Sequence, residues 1–289
     1  AADCRQLAAN IAAQHHRPPA LVSLARAGTP VGVILRAILS RHYGASVAHY
    51  SISIIRDRGI DVNALRHIIA HHADTDLVFI DGWTGKGVIA RELHRFIAAY
   101  NAQAGTNIDS RLYVLADLSG TAACAATADD YLIPSALLNA TISGLISRSI
   151  LNEQIAADDY HGCVYYRDLA PHDLSQSFAD RISALADGEL PAAAPADTAQ
   201  AATTAQHLLA DIRARYGISN DNLIKPGIGE ATRVLLRRHP ERLILRDPAA
   251  PATAHLVQLA AEKQAIIEYR PDLPYHAVAL IRSHCPANR

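Results

Sequence analysis

Residues 76–87, D-L-V-F-I-D-G-W-T-G-K-G, carry a buried strand directly into an acidic, glycine-rich turn. Leu77, Val78, Phe79 and Ile80 form a short unbroken apolar run, as in a parallel strand covered on both faces. After Val88 the apolar residues 89, 93, 96 and 97 recur at helical spacing. The unit reads strand, turn, helix. The free N–H groups and positive dipole end at such a helix start suit a phosphate. Thr84 offers a hydroxyl, Lys86 a cation, and Gly82, Gly85 and Gly87 a backbone open to close approach. Asp81 can accept from sugar hydroxyls or help hold a metal-bound diphosphate. A nucleoside-triphosphate P-loop is excluded, because its first glycine would fall on Ile80 and Gly87 offers Mg²⁺ no hydroxyl.

Residues 20–39 repeat this architecture, with a strand at 21–24, a turn at 25–30 and a helix from Val31 opened by Pro30. In the turn, Arg26, Ala27 and Gly28 pair a cation that can clamp a diphosphate with a glycine that admits it. Between the two units, residues 50–54 alternate as a strand, and Arg56-Asp57-Arg58-Gly59 forms a turn. A further strand, 111–117, ends on Asp117, and such carboxyl ends form the ligand crevice of an open α/β sheet. Residues 136–151 have the spacing of an amphipathic helix, followed by His161-Gly162-Cys163.

The chain has 289 residues, half of them hydrophobic, enough for two domains. No apolar run is long enough for a membrane span and no signal peptide is visible, so the expected location is cytoplasmic. The four cysteines are scattered without metal-ligand spacing, and the adjacent pairs among the fifteen histidines point apart on a helix. They read as reduced thiols and polar histidines. Residues 188–206 are rich in alanine, proline and threonine and read as a linker between a domain at 1–187 and one at 207–289. The second domain is the cationic part, with twelve Lys or Arg against eight Asp or Glu. Its elements alternate as an α/β/α sandwich expected to fold alone: helix from Leu208, turn 225–230, helix 231–238, strand 243–246, helix 255–262, strand 266–269 and helix 275–281.

The segments S-L-A-R-A-G-T-P, S-I-S-I-I-R-D-R-G-I-D, F-I-D-G-W-T-G-K-G, D-Y-L-I-P-S and L-N-A-T-I-S-G-L-I-S-R together resemble a bacterial family of type I phosphoribosyltransferase-like proteins. The family is linked to tellurite-resistance and stress operons and sometimes labelled as the cysteine protease StiP precursor. The resemblance spans nearly the whole chain and implies a leading segment ahead of Ala1. It implies a phosphoribosyltransferase-like parallel sheet domain using phosphoribosyl diphosphate, Mg²⁺ and an unknown base. Arg26, Ala27 and Gly28 would form the pyrophosphate loop, and Asp81, Gly82, Thr84, Gly85, Lys86, Gly87 and Asp117 would complete the substrate site. Arg56, Arg58 and Asp81 would act in transfer, with no direct protein metal ligand beyond Asp81. Against the family pattern, the second acid is missing, since Gly82 stands in its place.

The C-terminal part resembles a Pelota/L7Ae-like RNA-binding domain, which implies that Lys225, Gly227, Gly229, Glu230 and Arg233 meet structured RNA. Gly229 replaces an asparagine of that pattern, which removes a base-edge contact and leaves backbone contacts. A homodimer is compatible with all of this. Two alternatives stand beside phosphoribosyl transfer: a non-catalytic nucleotide- or RNA-binding stress regulator, and a cysteine protease. For the latter, His161 and Cys163 share a face only if their strand is regular.

Overall fold

In the computed structural model, which describes residues 1–137 and 139–282, the run Leu77–Ile80 is the middle of a parallel sheet buried on both faces. The first of two units comprises Ala1–Asp117, Thr121–Ala128 and Pro134–Asp197. Its elements are α1 (Ala2–Ala12), β1 (Ala20–Ala25), α2 (Gly28–Tyr43), β2 (Ala48–Ile55), β3 (Gly59–Ile60), α3 (Val62–Ile69), β4 (Leu77–Thr84), α4 (Val88–Ala104), β5 (Leu112–Asp117), β6 (Cys124–Thr127) and α5 (Ser175–Leu185). The sheet order is β3-β2-β1-β4-β5-β6, parallel except for the β2–β3 hairpin. Val22, Leu24, Phe79, Leu93, Ile97 and Val114 form the core on one face. Burial of each such side chain is worth about 1.5–3 kcal/mol.

Helix α2 starts at Gly28, three residues earlier than its apolar periodicity suggests. A Cβ on Gly28 would lie 2.5 Å from the Ile80 carbonyl oxygen and 3.0 Å from Asp81 Cα. The glycine is therefore needed for the close approach of α2 to β4, whatever else its loop contacts.

The helix expected at 136–151 is absent. Residues 134–137 and 140–142 are single 3₁₀ turns, and Gly144 (φ 81°) and Leu145 (φ 59°) adopt left-handed conformations that stop a helix. Beyond them, 145–150 pair antiparallel with 162–166 as a short ribbon. The first part of the expected linker lies along this unit: Ala194 N–H donates to the buried Asn10 Oδ1 (2.9 Å) and Ala196 N–H to the Ala125 carbonyl (3.0 Å). Its last part is helical, because α6 begins at Ala199.

The second unit comprises Leu118–Gly120, Asp129–Ile133 and the chain from Thr198 onward. It contains α6 (Ala199–Tyr216), β7 (Ile224–Pro226), α7 (Ile228–Arg237), β8 (Pro240–Leu245), α8 (Ala254–Glu262), β9 (Ile266–Tyr269) and β10 (Ala277–Ile281), with sheet order β7-β10-β8-β9. Residues 275–281, expected as a helix, supply an inner strand. The apolar run Ala277–Ile281 fits either conformation by periodicity, and here the flanking strands decide. Two internal segments help build this unit. Asp130 is half-buried and accepts from Ile228 N–H (2.8 Å) and His276 N–H (2.9 Å), while Tyr275 Oη donates to the Leu118 carbonyl (2.5 Å). Burial raises the Asp130 pKa against these hydrogen bonds. The expected range 207–289 omits the start of α6 and the acceptors of three polar groups, Ile228 N–H, His276 N–H and Tyr275 Oη. No helix among the described residues is long and apolar enough to cross a membrane.

Gly28→Ala should destabilise the protein by ~1–3 kcal/mol, the usual cost of forcing atoms into a packed site. A lower denaturation midpoint with unchanged m-value is the expected reading, and an unaltered midpoint would remove the close-approach account.

Candidate active site

The parallel strands β1, β2, β4 and β5 bring their carboxyl ends to one edge of the sheet, and the strand order reverses between β1 and β4. Arg26, Ala27 and Gly28 follow β1 there, Asp81–Thr84 end β4, Gly85–Gly87 follow it, and Asp117 ends β5. The expected residues are thus gathered, but many polar groups hold the turns themselves. Thr84 Oγ1 accepts from Gly87 N–H (3.0 Å), Asp81 Oδ1 from Gly82 N–H (2.7 Å), and the fully buried Asp117 from Ala122 N–H (2.8 Å). Arg26 donates to the Ile146 carbonyl (2.5 Å) and Arg91 to that of Lys86 (2.8 Å). Arg56 and Arg58 are exposed on the β2–β3 turn, where Arg56 lies 3.6 Å from Asp57. No group of three or more His, Cys, Asp or Glu able to hold a metal occurs among the described residues.

A second site in this unit was not assembled by sequence reasoning. A cavity of about 520 Å³ is bounded by β2, α3 and the ribbon, with Tyr50, Ser53, Asp61, His67, His161 and Cys163 in its walls. One carboxylate organises it. Asp61, 3% exposed, caps α3 by accepting from Ala64 N–H (3.0 Å) and also accepts from the His161 backbone N–H (2.7 Å). Asn63 Nδ2 donates to the carbonyls of Ala157 and Asp159, both at 2.8 Å, so α3 grips the chain just before His161. The ring is fixed as well, since His161 Nδ1 meets Ser53 Oγ of β2 at 2.8 Å. His67 packs edge-on to Tyr50 at 6.4 Å between centroids.

The ribbon is held by two isolated bridges, Ile150 with Gly162 and Ile146 with Tyr165, with one extra residue between them on the 145–150 side. Gly162 exchanges both main-chain hydrogen bonds with Ile150, and the Val164 carbonyl accepts from Ser147 N–H. Alternation then sends the side chains of His161 and Cys163 to one side, and both face the cavity. The other described thiols are unsuited to chemistry. Burial pushes the Cys4 pKa up to about 11 and raises that of Cys124, whereas Cys163 is exposed. Cys285 lies outside the described residues.

In the second unit, Lys225 and Arg233 do not stand as free cations. Glu230 lies 3.5 Å from Lys225 Nζ and also binds the Arg233 guanidinium. Gly227 has φ 89° before α7, and Gly229 is buried in its first turn.

Residues 1–183 match the family model described as "Tellurite-like stress resistance cysteine protease StiP", and residues 203–283 match that of the Pelota RNA binding domain. The protein named Cysteine protease StiP from Acinetobacter baylyi (strain ATCC 33305 / BD413 / ADP1) is 41% identical over 297 aligned residues, spanning 98% of this chain and 77% of the relative. The chain belongs to the StiP family. Two structures of a hypoxanthine-guanine phosphoribosyltransferase from Bacillus anthracis align at TM-scores of 0.28 and 0.27. They are 14% and 15% identical, covering 42% and 40% of this chain and 68% and 64% of theirs, a likeness too slight to carry an argument. The expected phosphoribosyltransferase activity is corrected on this finding: the StiP-family relative that matches nearly end to end is named a cysteine protease. The stress-resistance family and the Pelota domain stand.

Brief treatment of the native protein with iodoacetamide at pH 8 should label Cys163, leaving Cys4 and Cys124 unmodified until the chain is unfolded. Peptide mass mapping reads this directly, and early labelling of Cys4 would contradict its burial.

Proposed function

We propose that the chain is a stress-resistance cysteine peptidase with Cys163 as nucleophile and His161 as base. The observation that carries this reading is the placement of Cys163, the exposed thiol of those described, in one cavity with a histidine whose ring and backbone are both anchored. In the tautomer in which Nδ1 donates to Ser53 Oγ, His161 Nε2 is the nitrogen left to take a proton. The thiol gives its proton to Nε2, and the thiolate adds to a peptide carbonyl carbon. As the C–N bond breaks, the imidazolium returns the proton to the departing amine. Water activated by the same ring then hydrolyses the thioester, and the acid leaves. Ser53 is the orienting third group, and Asp61 positions the histidine through its backbone.

Cys163→Ala should abolish hydrolysis of an unfolded protein substrate such as casein, and His161→Ala should lower kcat by a factor of about 100 or more with little change in KM. Ser53→Ala should cost less, about tenfold, and displace the pH–rate profile. Full activity of Cys163→Ala would reject the assignment.

The Pelota match favours an added role for the second unit, recognition of structured RNA beside α7. Glu230 offsets both cations there, so Glu230→Gln should tighten binding of a hairpin RNA and steepen its salt dependence by about one or two phosphate contacts. Filter binding across a salt series measures both, and unchanged affinity and slope would place the RNA elsewhere.

A further inference from the structure

Resting on the peptidase reading, we propose that the outer edge of residues 163–165 is the docking strand for an extended polypeptide. The peptide pairs parallel to this edge opposite Val164 and places a bulky apolar side chain in the Cys163 cavity.

Within 162–166, Gly162 and Val164 direct their main-chain groups inward to the ribbon partner, and Tyr166 donates to the Leu145 carbonyl (2.7 Å). Alternation turns Cys163 and Tyr165 the other way. Among the described residues, neither the N–H nor the C=O of Cys163, nor the N–H of Tyr165, has a partner, while the Tyr165 carbonyl accepts from Arg167 N–H. The Cys163 carbonyl and Tyr165 N–H flank Val164. They match the one acceptor and one donor that a single residue of a parallel neighbour requires. The Cys163 N–H is left over, beside the nucleophile, where an oxyanion would form.

The surroundings suit an apolar chain. Val164 and Tyr165 are 48% and 56% exposed and Tyr160 57%, an unusual density of uncovered apolar side chains on an open strand edge. A peptide residue paired opposite Val164 sends its two neighbours' side chains to the Cys163 side, where the cavity of about 520 Å³ offers Tyr50, Ile68, Ile146 and Tyr160. That volume admits an aromatic or long aliphatic side chain.

The probe is a fluorescein-labelled heptapeptide alternating threonine and phenylalanine, bound to the Cys163→Ala protein and followed by anisotropy. N-methylation scanned along its backbone should weaken binding about tenfold at one position and leave the neighbouring positions unaffected. Tyr165→Pro, which removes the outward donor, should weaken binding more than Tyr165→Ala, which keeps it. A flat methylation scan, equal effects of the two Tyr165 variants, or no binding at millimolar peptide would overturn the docking edge. Cleavage of the peptide by the unmutated protein is measured alongside. Cleavage with a flat scan leaves the peptidase and removes the edge, whereas a position-specific scan without cleavage leaves the edge and removes the peptidase.

Discussion

The buried carboxylate of Asp61 joins three pieces of chain. One oxygen satisfies the first turn of α3, the other holds the His161 backbone, and its own N–H returns to the Ser53 carbonyl on β2 (2.9 Å). A buried charge is tolerated only when hydrogen-bonded in this way. Without it, α3 would lose its cap and the chain at His161 would keep only the contacts of Ser53 and Asn63. Helix capping and site assembly are here one interaction.

The two candidate sites of the first unit differ in how they spend their polar groups. At the strand ends, Thr84, Asp81 and Asp117 satisfy backbone N–H groups of their own turns, an economy that keeps tight βα connections rigid. At the ribbon the reverse holds: structural hydrogen bonds come from Asp61, Asn63 and Ser147, and the thiol is left in the open. The residue types at the strand ends are those of a ligand loop. Each of the three nonetheless accepts a backbone N–H of its own turn.

Much of the scaffold could be read from the chain because it is local. The apolar run at 77–80, the spacing after Val88 and the strands near 243 and 266 follow from periodicity, and each forms where expected. The failures share a cause. Residues 136–151 carry a helical pattern, yet Gly144 and Leu145 turn left-handed to enter a ribbon whose partner lies at 162–166. Residues 277–281 become a strand because β7 and β8 flank them. The site was half legible: His161 and Cys163 are neighbours in sequence, but nothing in the chain announces that Asp61 and Ser53, about a hundred residues earlier, will hold them. Contacts of that separation leave no periodic trace. The lysine, arginine and glutamate near α7 were visible as charges, but their mutual neutralisation is a matter of side-chain reach.

Asp130 and Leu118 belong by sequence to the stretch between the strands of the first unit, yet they complete the second. The two modules are therefore stitched rather than concatenated. A cut placed in the alanine-rich segment before α6 would strand the donors of Ile228 and His276 and the hydroxyl of Tyr275 without their acceptors. The folding of the second unit is thereby tied to residues synthesised about a hundred positions earlier, so a fragment made by cutting before α6 would lack part of its own polar framework.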